Sequence, residues 1–498
     1  MMKKKLMTLV LALVLCLGVV PSMTACGKKS DISVMLMINN KENAFYSQHF
    51  KKIGKEMGIT IGYDGVVSAN YYDSLKVAKA KGDMPDIFYV RPSNIRQYLA
   101  DGWIADISEE IKEYTRLNDM HESAKKMFQY DAATKTFGTG KTYALPKDLS
   151  VQQLGYNVAL VFKNRSVIWN AFEGYTGDYP KYPAGHEFAG KLKMPWDMDW
   201  EHENYTWTHY QMMAAALGKN GKTNGNTGDT IYGCDFPSYE LLMWSFGDEL
   251  LTGDKVNVDS EAFQKAGKYL AKLYDTGAAR YRGATYNNFV GEQNVCFYSG
   301  VNSFDIINYD TVLGKFDGKD FSKGWDVMPW PVADPSGDFS RVDGEAADPT
   351  DWLGIITTAG YAVSADCQDK KKAVEIIMTL YRAEVQQDLV QNRKLQLPLF
   401  TDTLYNSFLN KEFDETFSPL SRKVYMDVIE GKNGRIGAEY TCYDSQWLDR
   451  IGTSLMEKVY LPEGSGDEAA KKAWDANYGT AFINDVQKLY DDFNKDKA

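Results

Sequence analysis

Residues 31–90 read DISVMLMINN KENAFYSQHF KKIGKEMGIT IGYDGVVSAN YYDSLKVAKA KGDMPDIFYV. Ile32–Ile38 is a short apolar run of strand character. In Phe45–Met57 the apolar and aromatic positions Phe45, His49, Ile53 and Met57 recur at helical spacing. Ile59–Tyr63 reads as a second strand, Ser74–Lys81 lies in a second helix, and Asp86–Val90, entered through Pro85, is a third strand. Strand and helix alternating in this way point to an α/β fold: a mostly parallel sheet with helices on both faces.

Outward from this stretch, the N-terminus reads as an export address. Lys3, Lys4 and Lys5 precede an apolar run from Leu9 to Val20, which Pro21 breaks. That run is shorter than the roughly 20 residues a membrane span needs. Met23-Thr24-Ala25-Cys26-Gly27 resembles a bacterial lipobox, in which the cysteine carries a diacylglycerol. Residues 1–25 are therefore expected to be a lipoprotein signal peptide, and 26–30 a lipidated tether anchored through Cys26 to the outer face of the cell membrane. A plain secretory cut near Ala25 is the alternative. The 498-residue chain carries a net charge of −11, and loss of the signal lysines makes it more acidic. Such a surface repels phosphate backbones, so nucleic acid is not an expected partner.

Beyond the first sheet the pattern changes. From Trp169 to Trp207 the chain is crowded with Trp, Tyr, Pro, Gly and Asp and reads as a long loop-rich insertion. Gly218–Asp229 and Pro329–Asp351 read as further loops. Helices are expected at Ser260–Asp275, Lys370–Asp388, Thr453–Val459 and Asp467–Phe493. Cys234, Cys296, Cys367 and Cys442 lack metal-like spacing; one or two disulfides or four buried thiols both fit an exported chain.

Several motifs, taken in order, carry a resemblance. Gly82-Asp83-Met84-Pro85-Asp86-Ile87-Phe88 is followed by Tyr98-Leu99-Ala100-Asp101-Gly102-Trp103-Ile104. Next come Gly140-Lys141-Thr142-Tyr143-Ala144-Leu145-Pro146 through Gly155-Tyr156-Asn157, then Asn204-Tyr205-Thr206-Trp207, Phe297-Tyr298-Ser299-Gly300 and Ala359-Gly360-Tyr361-Ala362-Val363-Ser364. Together they resemble the family 1 extracellular solute-binding proteins, receptors of ABC importers that include maltose-binding proteins and their Gram-positive lipoprotein relatives. The resemblance implies a two-lobe periplasmic-binding-protein-like fold of type II, with three crossovers and a ligand cleft between the lobes. Mapped here, lobe 1 takes 31–146 and 361–399, and lobe 2 takes 147–360 and 400–498. It also implies a carbohydrate ligand, an ABC permease as partner, and a monomer. No cofactor, metal or catalytic residue is expected.

A sugar site needs flat apolar faces and planar hydrogen-bonding groups. Arg91, Ser93 and Asn94 follow the third strand, at the end of an open α/β sheet where ligands collect. Asn40 follows the first strand. At positions the family uses, the resemblance adds Asp148 and Gln152 at the first crossover, Trp244 before Gly247-Asp248-Glu249-Leu250, Asn302 with Ser303 after Gly300, Trp352 and Tyr361 flanking the second crossover, and Tyr443 and Trp447 in the tail. Trp103 and Trp474 are expected to pack in cores.

Competing chemistry is weaker. Ala216–Thr223 fits a loose phosphate-loop pattern, but a helix precedes it where that chemistry needs a strand. The run Asp197, Asp199, Glu201, Glu203 could supply glycosidase carboxylates, yet in a polar loop a solvated acidic run accounts for it. The expected function is capture of an oligosaccharide by hinge closure and delivery to an importer. A peptide or other polar solute, a sensor role, and a secreted glycoside-active enzyme are the alternatives.

Overall fold

The computed structural model describes residues 30–218, 231–279, 286–303, 314–316, 319–321, 324–347, 353–410, 418–430, 434–438, 442, 447–448, 451 and 469–495. The chain opens with β1 (Ile32–Ile38), α1 (Asn40–Met57), β2 (Ile61–Val67), α2 (Ser68–Ala80) and β3 (Ile87–Val90). Alternate residues of β1 are buried, and all four of β3 are. Helix α1 starts earlier than its apolar spacing indicates because Asn39 and Glu42 form a reciprocal cap. The Asn39 side chain accepts from Glu42 N at 2.9 Å, and Glu42 accepts from Asn39 N at 3.0 Å. Gly58, at φ 66°, ends the helix, and Ile59 N still donates to Gly54 O, so β2 begins two residues later than Ile59.

The chain continues through β4 (Ala144–Pro146), β5 (Ser150–Asn157), α3 (Trp207–Gly218), β6 (Tyr232–Cys234), α4 (Glu261–Asp275), β7 (Val295–Asn302), β8 (Trp325–Met328), β9 (Gly354–Thr357) and β10 (Gly360–Val363). It closes with α5 (Lys370–Leu380), α6 (Pro419–Ile429), β11 (Gly434–Arg435), α7 (Ala469–Asn477) and α8 (Thr480–Asn494). The expected helix Lys370–Asp388 stops at Leu380 and restarts at Ala383–Gln387, because Arg382 takes extended backbone. The expected Asp467–Phe493 helix is two, α7 and α8, divided at Tyr478 and the extended Gly479. Thr453–Val459 lies outside the described residues.

Two sheets result. The first has order β2-β1-β3-β10-β4, with β1, β2 and β3 parallel and β10 antiparallel to β3 and β4. The second has order β11-β9-β5-β7-β6, with β8 also pairing β5. Strand β5 is its hub, antiparallel to β7, β8 and β9. Two short links join the sheets: Lys147-Asp148-Leu149 between β4 and β5, and Thr358-Ala359 between β9 and β10. This is a mixed α/β, two-lobed architecture of the type II binding-protein kind.

The apolar interior of the first sheet runs through these links onto one face of the second, reaching Val301, Trp325, Val327 and Ile356. Phe400, Tyr405 and Phe408 also pack in it. A second core holds Trp207, Tyr210, Tyr269, Trp330 and Trp474. The 169–207 stretch contributes Leu192, Met194, Trp200 and Tyr205 to that core, and Trp200 Nε1 donates to Pro195 O at 3.0 Å. Its aromatics are core anchors carried on irregular backbone. Trp103 is half-buried and stacks on Tyr98 at 4.8 Å. Cys234, Cys296, Cys367 and Cys442 are buried, and no disulfide joins them. Among the described residues no helix is long and apolar enough to cross a membrane.

Candidate functional site

The strand register decides where a ligand can sit. Gly360 of β10 faces Val90, the last residue of β3, and also Pro146. On the other side of the links, Asn302 ends β7 opposite Gln152, and Ile355 flanks the same Gln152. The C-terminal ends of β1 and β3 in the first sheet, and of β7 in the second, therefore converge on the two links. Open α/β sheets collect ligands at such ends.

Lys147 is at the centre of this junction. Its Nζ lies 2.6 Å from Glu42 Oε1 and 3.1 Å from Asp148 Oδ2, and 5.6 Å from the centroid of the Tyr46 ring. The lysine is almost fully buried. Burial works against its charge, but Glu42, Tyr46 and Asp148 outweigh it and hold its pKa well above the usual lysine value. Asp148 is clamped as well. Its Oδ1 accepts from Ala359 N at 2.9 Å, and its carbonyl accepts from Thr358 Oγ1 at 2.5 Å. Asp148 thereby ties one link to the other. Behind them Tyr46 and Tyr361 share a hydroxyl contact of 2.8 Å, and Tyr381 OH donates to Pro146 O at 2.6 Å. Burial pushes the Tyr46 hydroxyl up to about 12.

On the second sheet, Ser150 Oγ donates to Asn302 Oδ1 and lies 2.6 Å from Ser303 Oγ. Gln152 is partly exposed on the adjoining rung. On the first sheet, Arg91 is exposed, its Nε donates to Tyr89 OH at 3.3 Å, and its backbone N–H donates to Asn94 Oδ1 at 3.1 Å. Ser93 and Asn94 are half-buried on the same turn. The set is a row of amides, hydroxyls and one guanidinium facing a buried ion cluster, suited to a neutral polyhydroxylated ligand.

The structure thus brings Arg91, Ser93, Asn94, Asp148, Gln152, Asn302 and Tyr361 to one junction. Asn40 opens α1 beside it. Trp244 is placed elsewhere: it is buried in the second core, with Nε1 donating to Glu249 at 2.5 Å. Trp447 is likewise in that core, edge-on to Tyr490 at 5.0 Å. Trp352 and Tyr443 lie outside the described residues. Sequence reading missed Glu42, Lys147 and Ser150, and it placed Ser303 beside Asn302 as a candidate. Lys147 adjoins Asp148, but nothing local signals that Glu42, 105 residues earlier, would close on it.

Asp235 follows β6 and accepts from Ser299 N at 2.7 Å and from Ser299 Oγ at 2.5 Å. Burial lifts its pKa from an ordinary 3.8 to about 7, against those bonds. Between these values the folded state holds a proton that the unfolded state has lost, so stability falls as pH rises. His121 acts oppositely. Burial lowers its pKa from 6.5 to about 4, so in that range the unfolded state alone is protonated and stability rises with pH. The two slopes offset each other in the native chain. Asp235→Asn should expose the His121 slope: between pH 4 and 6.5, variant stability should gain on the native chain by up to about 1.4 kcal/mol per pH unit. Urea unfolding across that range measures it, and a pH-independent difference would refute the assignment.

Residues 48–407 match the model of the bacterial extracellular solute-binding protein family. No curated protein matches the chain in sequence. Among solved structures, it is similar to an ABC substrate-binding protein of Listeria monocytogenes in complex with cycloalternan, at 16% identity and TM-score 0.57. That match covers 93% of this chain and 100% of the other. A cyclo/maltodextrin-binding protein complexed with maltotetraose matches at 13% identity and TM-score 0.59, covering 94% and 98%. UgpB of Mycobacterium tuberculosis in complex with glycerophosphocholine matches at 13% identity and TM-score 0.61, covering 94% and 99%.

Proposed function

We propose that this chain, which belongs to the bacterial extracellular solute-binding protein family, captures an oligosaccharide between its lobes and delivers it to an ABC importer. It does so as a lipid-anchored monomer on the outer face of the cell membrane, and it turns over no glycan. In this reading 31–146 with 361–399 form one lobe, and 147–360 with 400–498 form the other. The links Lys147–Leu149 and Thr358-Ala359 are the hinge, and ligand stabilises the closed state by its differential affinity.

One observation carries the carbohydrate reading. The uncharged polar groups of Ser93, Asn94, Gln152, Asn302 and Ser303 gather where the strand ends of both sheets meet. Hydroxyl and amide groups in such a row exchange hydrogen bonds with sugar hydroxyls in either sense. The likeness to structures holding cycloalternan and maltotetraose supports the same class.

The test is a thermal-shift screen of the mature chain against oligosaccharide series, peptides and glycerophosphocholine. A ligand at 100 times its Kd should stabilise the folded state by about 2.7 kcal/mol. One oligosaccharide series should raise Tm and be recovered intact. Gln152→Ala should weaken its binding about tenfold, the effect of one lost hydrogen bond, with the ligand-free Tm unchanged. A shift from peptides or glycerophosphocholine alone would keep the binding role and overturn the sugar.

A further inference from the structure

The edge of the first sheet opposite the hinge is basic on an otherwise acidic chain. Helix α1 runs back from the C-terminal end of β1 to the start of β2, so its last turns lie at the N-terminal edge of the strands. Ile32 N donates to Thr60 O there. Helix α2 likewise returns to the start of β3, where Lys79 pairs with Asp366 at 2.7 Å. Strand β10 is antiparallel to β3, so α5 begins at this edge too. The topology thereby gathers Lys51, Lys55, Lys76, Lys81, Lys370 and Lys371, none with an ion-pair partner among the described residues. Asp31, Glu56, Asp83 and Asp369 oppose them; Glu56 is paired with Lys52 and Arg382, and Asp31 and Asp369 are engaged with the backbone N–H of Thr60 and Lys372. Val77, one of three large apolar side chains exposed among the described residues, projects from α2 within the same group at 51% exposure.

The chain enters the fold at this edge. Ser30 precedes β1 and lies against Gly62 at the start of β2. Cys26 is four residues upstream, a reach of at most about 14 Å, and Lys28 and Lys29 fall within it.

We propose that this basic edge rests on the anionic lipid surface of the membrane, holding the hinge and its ligand groups outward. The placement beside a membrane rests on the lipoprotein reading; the charge complementarity does not. Lysines within a Debye length of anionic headgroups are attracted, and the attraction yields to salt. Strand β1 spans about 23 Å at about 3.3 Å per residue, which sets how far the binding groups stand from the bilayer. In this orientation the cleft is open to arriving ligand, and hand-off requires the weak contact to release.

The test uses residues 27–498, which lack Cys26 and hold every described element. This chain is sedimented with vesicles of phosphatidylglycerol and phosphatidylcholine in equal parts, and with phosphatidylcholine alone. At about 0.01 M salt it should bind the anionic vesicles only, and at about 1 M it should release. The variant K51Q/K55Q/K76Q/K81Q should bind at least tenfold more weakly with unchanged Tm. Failure to bind anionic vesicles at low salt, equal binding to neutral ones, or undiminished binding by the variant overturns the proposal. Because the probe carries no lipid, none of these results depends on whether Cys26 is acylated.

Discussion

Lys147→Met should destabilise the protein by about 3–5 kcal/mol, the cost of removing one partner from a buried ion cluster. The substitution conserves much of the side-chain volume, so the loss is electrostatic. Glu42 would keep only its bond from Asn39 N, and one Asp148 oxygen would lose its cation while the other stays with Ala359 N. The effect falls on the links between the sheets, so both the resting separation of the lobes and their closure should change. The double variant Glu42→Gln/Lys147→Met should recover part of the loss, since it removes a stranded carboxylate as well as the cation. Urea unfolding of the four species of this cycle measures the coupling. A single-variant loss below about 1 kcal/mol would mean the cluster is solvated and leaves the hinge unpinned.

Cys26→Ser should move the protein from the membrane fraction to the soluble fraction almost completely after a high-salt wash. The argument is one of acyl-chain burial. Each buried methylene contributes about 0.8 kcal/mol, one chain anchors marginally, and two anchor stably. A diacylglycerol on the Cys26 sulfur supplies two, and serine offers no sulfur to receive them. The wash matters because the basic edge should leave a salt-sensitive association behind. Retention of the variant on washed membranes would remove the lipid anchor and leave a plain export signal in its place.

These two expectations mark how differently the chain reveals itself. The proposed anchor rests on a local signal: a basic cluster, an apolar run and small residues before Cys26 occupy one short segment. The α/β class is legible for a related reason. Strand alternation in Ile32–Ile38 and helical spacing in Phe45–Met57 are written within a few turns of chain. Element ends were less legible, because Gly58, Arg382 and Gly479 stop or split elements through backbone conformation that apolar spacing does not report.

The candidate site residues divide along the same line. Arg91, Ser93 and Asn94 could be named from sequence because they follow a recognisable strand. Among the aromatic residues Trp474 could be assigned to a core from its helix, but Trp244 and Trp447 could not. Trp244 and Trp447 occupy the second core with Trp474, and a side chain's burial depends on elements hundreds of residues away. Glu42 and Lys147 meet only because α1 returns across β1 while the chain crosses between sheets. Sequence by itself determined the alternation and the polar groups after β3, and it alone carries the proposed export address. Tertiary structure alone decided which carboxylate meets the buried lysine, that Trp244 and Trp447 are core, and which edge gathers the lysines. Periodicity and capping act over a few residues, whereas ion pairing and burial are set by distance in space.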